Sequence, residues 1–310
     1  MLIFVLRRVG TMLITMVVVS ILLFLLLEID KEGVAIRVLG QYSLPEQRTL
    51  WLEAHGYFEP LYERYGRWLL KFATGDFGES VRFKSPVGDI LWPRLGNTAI
   101  LGAATMAVVI PVSLALGVFA GMKEGSKTDR GISVTSIVTT SVPEFASAVL
   151  LSAIFVFYLG WLPGTSSMND GFDLRQLVLP VMVLVIYDFG YVTRMTRASM
   201  AEVMMTHYIR TAVLKGLPYR SVIMRHALRN ALIAPFTVIM LQINWLLSGV
   251  IVVESFFAYK GFGALLLEAS LNKDIFVIEA CAMIAVFVAV ATQTLADVGY
   301  TYLNPRIRFS

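Results

Sequence analysis

Long apolar runs limit what this chain can fold into more than any other feature. No side chain from Val9 to Leu27 carries a charge, and comparable runs recur at Asn97–Gly121, Ile132–Leu159, Leu177–Thr193, Ala231–Val253 and Ile275–Asp297. A spanning helix needs roughly 20 predominantly apolar residues. Inside a bilayer each backbone N–H and C=O must be satisfied within the protein, which leaves helices or closed barrels. The runs show no barrel-like alternation. The expected fold is therefore all-α and polytopic, with six transmembrane helices. Composition agrees: 57% of residues are hydrophobic and 15% charged, unlike a soluble domain. One cysteine, Cys281, excludes a disulfide within the chain. The three histidines, His55, His207 and His226, are scattered, so no metal site is expected.

The charged residues set the topology. Arg7 and Arg8 precede the first run, and no small-x-small cleavage site precedes Glu28, so residues 1–29 read as a retained N-terminal transmembrane helix. Six spans place both termini on one side. The N-terminus, 122–130, 194–229 and the C-terminus are rich in Lys and Arg and hold three acids, Glu124, Asp129 and Glu202. On the other side acids outnumber bases, and most bases sit in one long loop. Short basic loops stay inside, so the first set is expected to be cytoplasmic. Residues 30–96 then form an extracytoplasmic loop, and 97–310 a five-helix core. In that loop, Leu61, Tyr65, Trp68, Leu69 and Phe72 share one face of a helix expected over Pro60–Phe72. Its rings, with Trp51, Tyr57, Phe58 and Trp92, suit the outer membrane interface.

Arg194–Pro235 is a long basic loop between two spans, which suggests a docking surface. Met200, Val203/Met204, His207/Tyr208 and Thr211/Ala212 recur at helical spacing, giving one helix of roughly four turns. Lys215-Gly216 reads as its cationic end and C′ glycine. Leu217-Pro218 turns the chain into a second helix over Arg220–Asn230, where Arg225 and Arg229 lie one turn apart.

The stretch from Tyr208 to Pro235, YIRTAVLKGLPYRSVIMRHALRNALIAP, resembles the cytoplasmic loop of dipeptide/oligopeptide/nickel ABC-importer permeases. Arg210-Thr211-Ala212 takes the place of the EAA signature and Gly216 that of its glycine. His226 and Leu228-Arg229 take the Ile and Leu-Pro places. The signature acid and proline are absent. GDFGES (75–80), SPVGDILWPRLGNTAIL (85–101), VPEF (142–145), VVESFFAYKGFGALLLEA (252–269) and NPRIR (304–308) are similar to the same family. The resemblance implies a type I ABC-importer permease with an extended first periplasmic loop, in a prokaryotic inner membrane. It implies a second homologous permease, two ATPase subunits and an extracytoplasmic solute-binding protein as partners. It also implies a coupling helix: Arg210, Thr211, Ala212, Val213, Leu214, Lys215, Gly216 and Leu217, supported by Arg225 and Arg229. No cofactor is expected on this chain; ATP and Mg would act on the ATPase subunits. Di- or oligopeptides are the expected cargo, with nickel chelates, glutathione or opine and sugar compounds as alternatives.

No catalytic set emerges, so an enzyme is not expected. GMKEGSKT (121–128) mimics a phosphate loop, but its spacing fails and no strand precedes it; a solvated turn is expected. Glu144, Asp188, Glu279 and Asp297 lie in or near spans, where carboxylates face an interior or a polar path. Glu144, Asp188, Gln242, Asn244 and Trp245 are the pathway candidates. Interhelical hydrogen bonding is the alternative, and Asp188 lies close enough to Arg194 for a local pair. An ion-driven secondary transporter would show inverted repeats and paired broken helices; neither is evident in the sequence.

Overall fold

The computed structural model describes residues 2–28, 30–168 and 171–303; the described side chains exclude those of residues 2–5, 27–28, 244, 246–249 and 300–303. In chain order the helices are α1 (Leu2–Glu28), α2 (Lys31–Leu39), α3 (Pro45–Ala54), α4 (Leu61–Ala73), α5 (Val87–Met122), α6 (Lys127–Ser141), α7 (Glu144–Tyr158), α8 (Leu174–Met204), α9 (His207–Leu214), α10 (Tyr219–Ala231), α11 (Ile233–Gly249), α12 (Ile251–Phe256), α13 (Phe262–Asn272) and α14 (Ile275–Leu303). Among the described residues the only β pairing is one bridge, Glu79 to Pro86. The fold is all-α, as expected.

Four segments are long and apolar enough to cross a membrane: Leu6–Leu26, Val87–Met122, Leu174–Met204 and Ile275–Gly299. Six are reached if each of two bent pairs counts as one span. α6 and α7 meet at 98°, and α10 meets the Ile233–Ile243 part of α11 at 49°. The expected span Ile132–Leu159 is thus sharply bent in its middle. Pro143 has no N–H to continue the helix, and it forces Val142 into an extended conformation, ψ 122°. At the second bend, Pro235 cannot donate to the Ala231 carbonyl, and the chain turns at Leu232. α5, by contrast, is continuous through Pro111.

The chain forms two compact units. The first comprises Met1–Thr98 with Gly261–Ala291. Its core joins Val87 and Leu91 to Phe262, Leu265 and Ala269 of α13 and to Val277, Cys281 and Ile284 of α14. The expected amphipathic helix is α4. Tyr65 and Trp68 surround Phe24 of α1, with centroids 5.5 and 5.8 Å away. Trp68 Nε1 donates to Glu279 Oε2 at 3.2 Å, which gives that membrane-depth carboxylate a structural partner. Leu61 stays exposed. Buried Asp274 accepts from Ser80 Oγ at 2.5 Å and from the Arg82 amide at 3.0 Å.

The second unit comprises Ala99–Lys260 with Thr292–Ser310. α8 lies at its centre, against α6, α7 and α11. Lipid tails are as apolar as leucine, so close van der Waals contact must hold such helices together. Glycines permit it. A Cβ at Gly190 would fall 2.1 Å from the Ser136 carbonyl oxygen of α6. A Cβ at Gly117 or Gly121 would fall 2.8 or 2.7 Å from a carbonyl oxygen of α8, at Thr193 and Arg197.

Candidate functional site

Two features of the second unit gather the residues singled out above. The first is the elbow. One continuous helix was expected from Met200 into Ala212; instead α8 ends at Met204 and α9 starts at His207. At the break Thr206 has an extended backbone, ψ 150°, and its Oγ1 donates back to the Val203 carbonyl at 2.6 Å. The apolar stripe survives the break. Met200, Ile209, Ala212, Val222, Ile223, Ala227 and Ala231 form one buried cluster, so Ala212 faces the core and not the surface.

The bend itself follows its sequence signals. Gly216 adopts φ +75°, a left-handed conformation that costs glycine nothing. Its amide donates to the Val213 carbonyl at 2.9 Å, and the Leu217 amide to the Ala212 carbonyl at 3.4 Å, the paired bonds of a Schellman ending. Pro218 caps α10. α10 is wound wide, with π-type turns over Val222–Ala227. Asn230 Nδ2 donates to Tyr208 Oη at 2.8 Å and ties α10 to α9. At the tip Val213, Leu214 and Leu217 are exposed, Leu214 by 81%, and so are Arg210, Thr211, Lys215 and Arg220. Arg225 and Arg229 are exposed along α10. Pro218, Arg220, Ser221, Met224 and Arg225 line a shallow hollow beside the bend. The tip is an apolar knob ringed by cations. His207 is exposed and His226 half-buried; among the described residues no three potential ligands cluster.

Just above, the phosphate-loop mimic is a helix start and not a nucleotide cradle. Gly125 has φ +77°, and Ser126 Oγ accepts from the Asp129 amide at 3.1 Å. Asp129 receives Arg197 Nε at 2.9 Å and Nη2 at 2.8 Å, and the Gly125 amide at 2.9 Å. Glu124 lies 3.3 Å from the same guanidinium. This clamp fastens the loop to α8. Sequence reasoning missed it, although the Ser-x-x-Asp pattern at 126–129 signals a capped helix start.

The second feature lies along α7, α8 and α11. Asp188 is fully buried. Gln242 Nε2 donates to its Oδ1 at 2.6 Å, while Oδ2 has no partner among the described residues. Arg194 is exposed and forms no pair with it, so the expected local pairing is replaced by an interhelical one. Glu144, on α7 packed against α8, is half-buried, and its Oε2 is also unpartnered among the described residues. Trp245 stacks on Tyr187, with ring centroids 4.7 Å apart and planes at 17°. The structure thus brings together Glu144, Asp188, Gln242 and Trp245 from the expected pathway set. The side chain of Asn244 and the NPRIR motif (304–308) lie outside the described residues.

With this geometry in place, comparison with known proteins is decisive. The family model described as "Binding-protein-dependent transport system inner membrane component" matches residues 113–309. The chain belongs to that family. It is therefore the membrane permease subunit of an ABC transporter and not an enzyme, with ATP hydrolysis residing in separate subunits. A putative peptide transport system permease of Brucella abortus is 35% identical over 309 residues, covering 98% of each chain. The oligopeptide transport system permease of Bacillus subtilis is 34% identical, over 84% of this chain and 85% of its own. A dipeptide transport system permease of Alkalihalophilus pseudofirmus is 31% identical over the full length of both. Bent helix pairs are a device of ion-driven transporters too; family membership assigns them here to an ABC permease.

Proposed function

We propose that this chain is a permease subunit of an ATP-driven importer of di- or oligopeptides, forming the translocation path with a second, homologous permease. Relatives named for peptide, oligopeptide and dipeptide transport support the cargo. Two ATPase subunits bind beneath it, and an extracytoplasmic solute-binding protein delivers the peptide. Both termini and the elbow face the cytoplasm of a bacterial cell.

The observation that carries this reading is the tip of the elbow. An exposed Val213-Leu214 pair beside Leu217, on a helix ended by a Schellman bend, is an anchor without a pocket in its own chain. The residues from Arg210 to Leu217 dock in a groove of one ATPase, with Ala212 holding the helix to its base and Arg225 and Arg229 supporting it from α10. Closure of the ATPase dimer moves the elbow and shifts the spans between two states. Glu144, Asp188, Gln242, Asn244 and Trp245 line the path.

Uptake in vesicles tests the class: transport should require ATP and all partner chains, and ATP-independent uptake by this chain alone would end the reading. A lysine-directed crosslink from Lys215 to an ATPase subunit is expected. Reaction of Lys215 with a membrane-impermeant reagent from outside would reverse the topology.

A further inference from the structure

Asp188 and Glu144 present an unusual electrostatic problem. Asp188 is 0% exposed, in a helix of membrane-spanning length, and one of its oxygens lacks a donor. Glu144, on the helix that starts at the Pro143 break, has an oxygen in the same condition. Among the described residues neither carboxylate forms an ion pair with Lys or Arg. Like charges in a medium of low dielectric repel strongly, and a buried charge is tolerated only with a partner.

We infer that Asp188 and Glu144, with Gln242 and the Tyr187–Trp245 stack, form a binding site for the ammonium group of a transported peptide. The inference rests on the peptide reading above and adds what part of the cargo this chain recognises.

The donor count fits. An ammonium carries three N–H donors and no acceptor. Asp188 Oδ2 and Glu144 Oε2 supply two acceptors. The Gln242 amide uses its nitrogen on Asp188 and keeps its carbonyl oxygen for the third. A divalent cation fits poorly: calcium takes six to eight oxygen ligands, and no third acid or histidine joins the pair among the described residues. The Tyr187–Trp245 stack suits a cation as well. Glu144, Tyr187, Gln242 and Trp245 are half-buried while Asp188 is sealed.

The test uses the assembled transporter, with its partner chains, in vesicles. Uptake of trialanine is compared with that of N-acetyl-trialanine in the wild type, Asp188→Asn and Glu144→Gln, with the same binding protein throughout. The ratio of the two rates should fall about tenfold or more in Asp188→Asn and less in Glu144→Gln, since a charge-assisted bond is lost in each. An unchanged ratio in both variants overturns the inference. A second readout needs no variant. A hydrophobic carbodiimide should label Glu144 and Asp188 of the wild-type assembly, and trialanine should slow that labelling while N-acetyl-trialanine does not. Equal protection by both peptides, or protection by neither trialanine nor n-butylammonium, overturns it. Protection by n-butylammonium but not by n-butanol, in an assembly that takes up neither peptide, upholds the ammonium site and refutes the peptide cargo.

Discussion

The elbow tip and the α7/α8 interior break the burial rule in opposite directions. At the tip, Leu214 is 81% exposed, where leucine gains little for the fold. In the interior, Asp188 and Glu144 hold unpartnered oxygens, where a carboxylate costs free energy. The informative residues in any protein are exposed apolar patches and buried polar groups. Here the two lie on one unit, and the proposals above treat each as half of an interaction: the tip as an anchor for an ATPase subunit, the interior as a seat for an ammonium group.

Four single substitutions and one double charge reversal sharpen this contrast. Gly216→Pro should have the largest effect. It removes the hydrogen bond from the Gly216 amide to the Val213 carbonyl and demands φ near −65° where the chain has +75°, a cost of about 3 kcal/mol or more. ATP-coupled uptake should be abolished while the chain still inserts, as read by membrane fractionation and vesicle transport. Arg197→Ala should follow. It strips Asp129, a buried carboxylate, of a bidentate cation, costing about 2–3 kcal/mol. Thermal unfolding in detergent measures it, and Arg197→Ala with Asp129→Ala should lose less than the sum of the two single variants. Gln242→Leu leaves Asp188 Oδ1 without its donor and should cost about 1–3 kcal/mol in the same assay. Leu214→Ser should shift stability by less than about 0.5 kcal/mol, as an exposed site does, yet lower uptake severalfold. A Leu214→Ser variant that unfolds early would place the tip in the core after all. Full uptake would remove it from the docking surface. Charge reversal of Arg225 and Arg229 together should uncouple ATP hydrolysis from uptake without loss of the fold.

Much of this was legible in the sequence. Apolar run length set the fold class, because a bilayer leaves so few alternatives. Lys215, Gly216 and Pro218 announced the bend, because helix ends are governed by local chemistry. The partners of Asp188 were not legible. Arg194 is near in sequence, but Gln242 comes from another helix, and helix packing decides which is near in space. The sharp break at Val142-Pro143 was read as a feature inside one span, since a proline signals interruption but not its angle. The division of the long amphipathic stripe at Thr206 escaped for a related reason: periodicity continues across a capped break when both helices share one core. The Arg197–Asp129 clamp hid behind a failed nucleotide motif.

The glycine seam around α8 has a consequence for how this chain can vary. Gly117, Gly121 and Gly190 sit where an added methyl would strike backbone oxygens, while Gly10, Gly66, Gly96, Gly102 and Gly131 face open space. Saturation mutagenesis under selection for uptake should therefore sort the glycines into two populations. The first three would be nearly immutable, and the other five would accept alanine freely. Drift at these positions is then confined to glycines that face open space, while the helix that joins the buried carboxylate to the elbow keeps its spacing to α5 and α6.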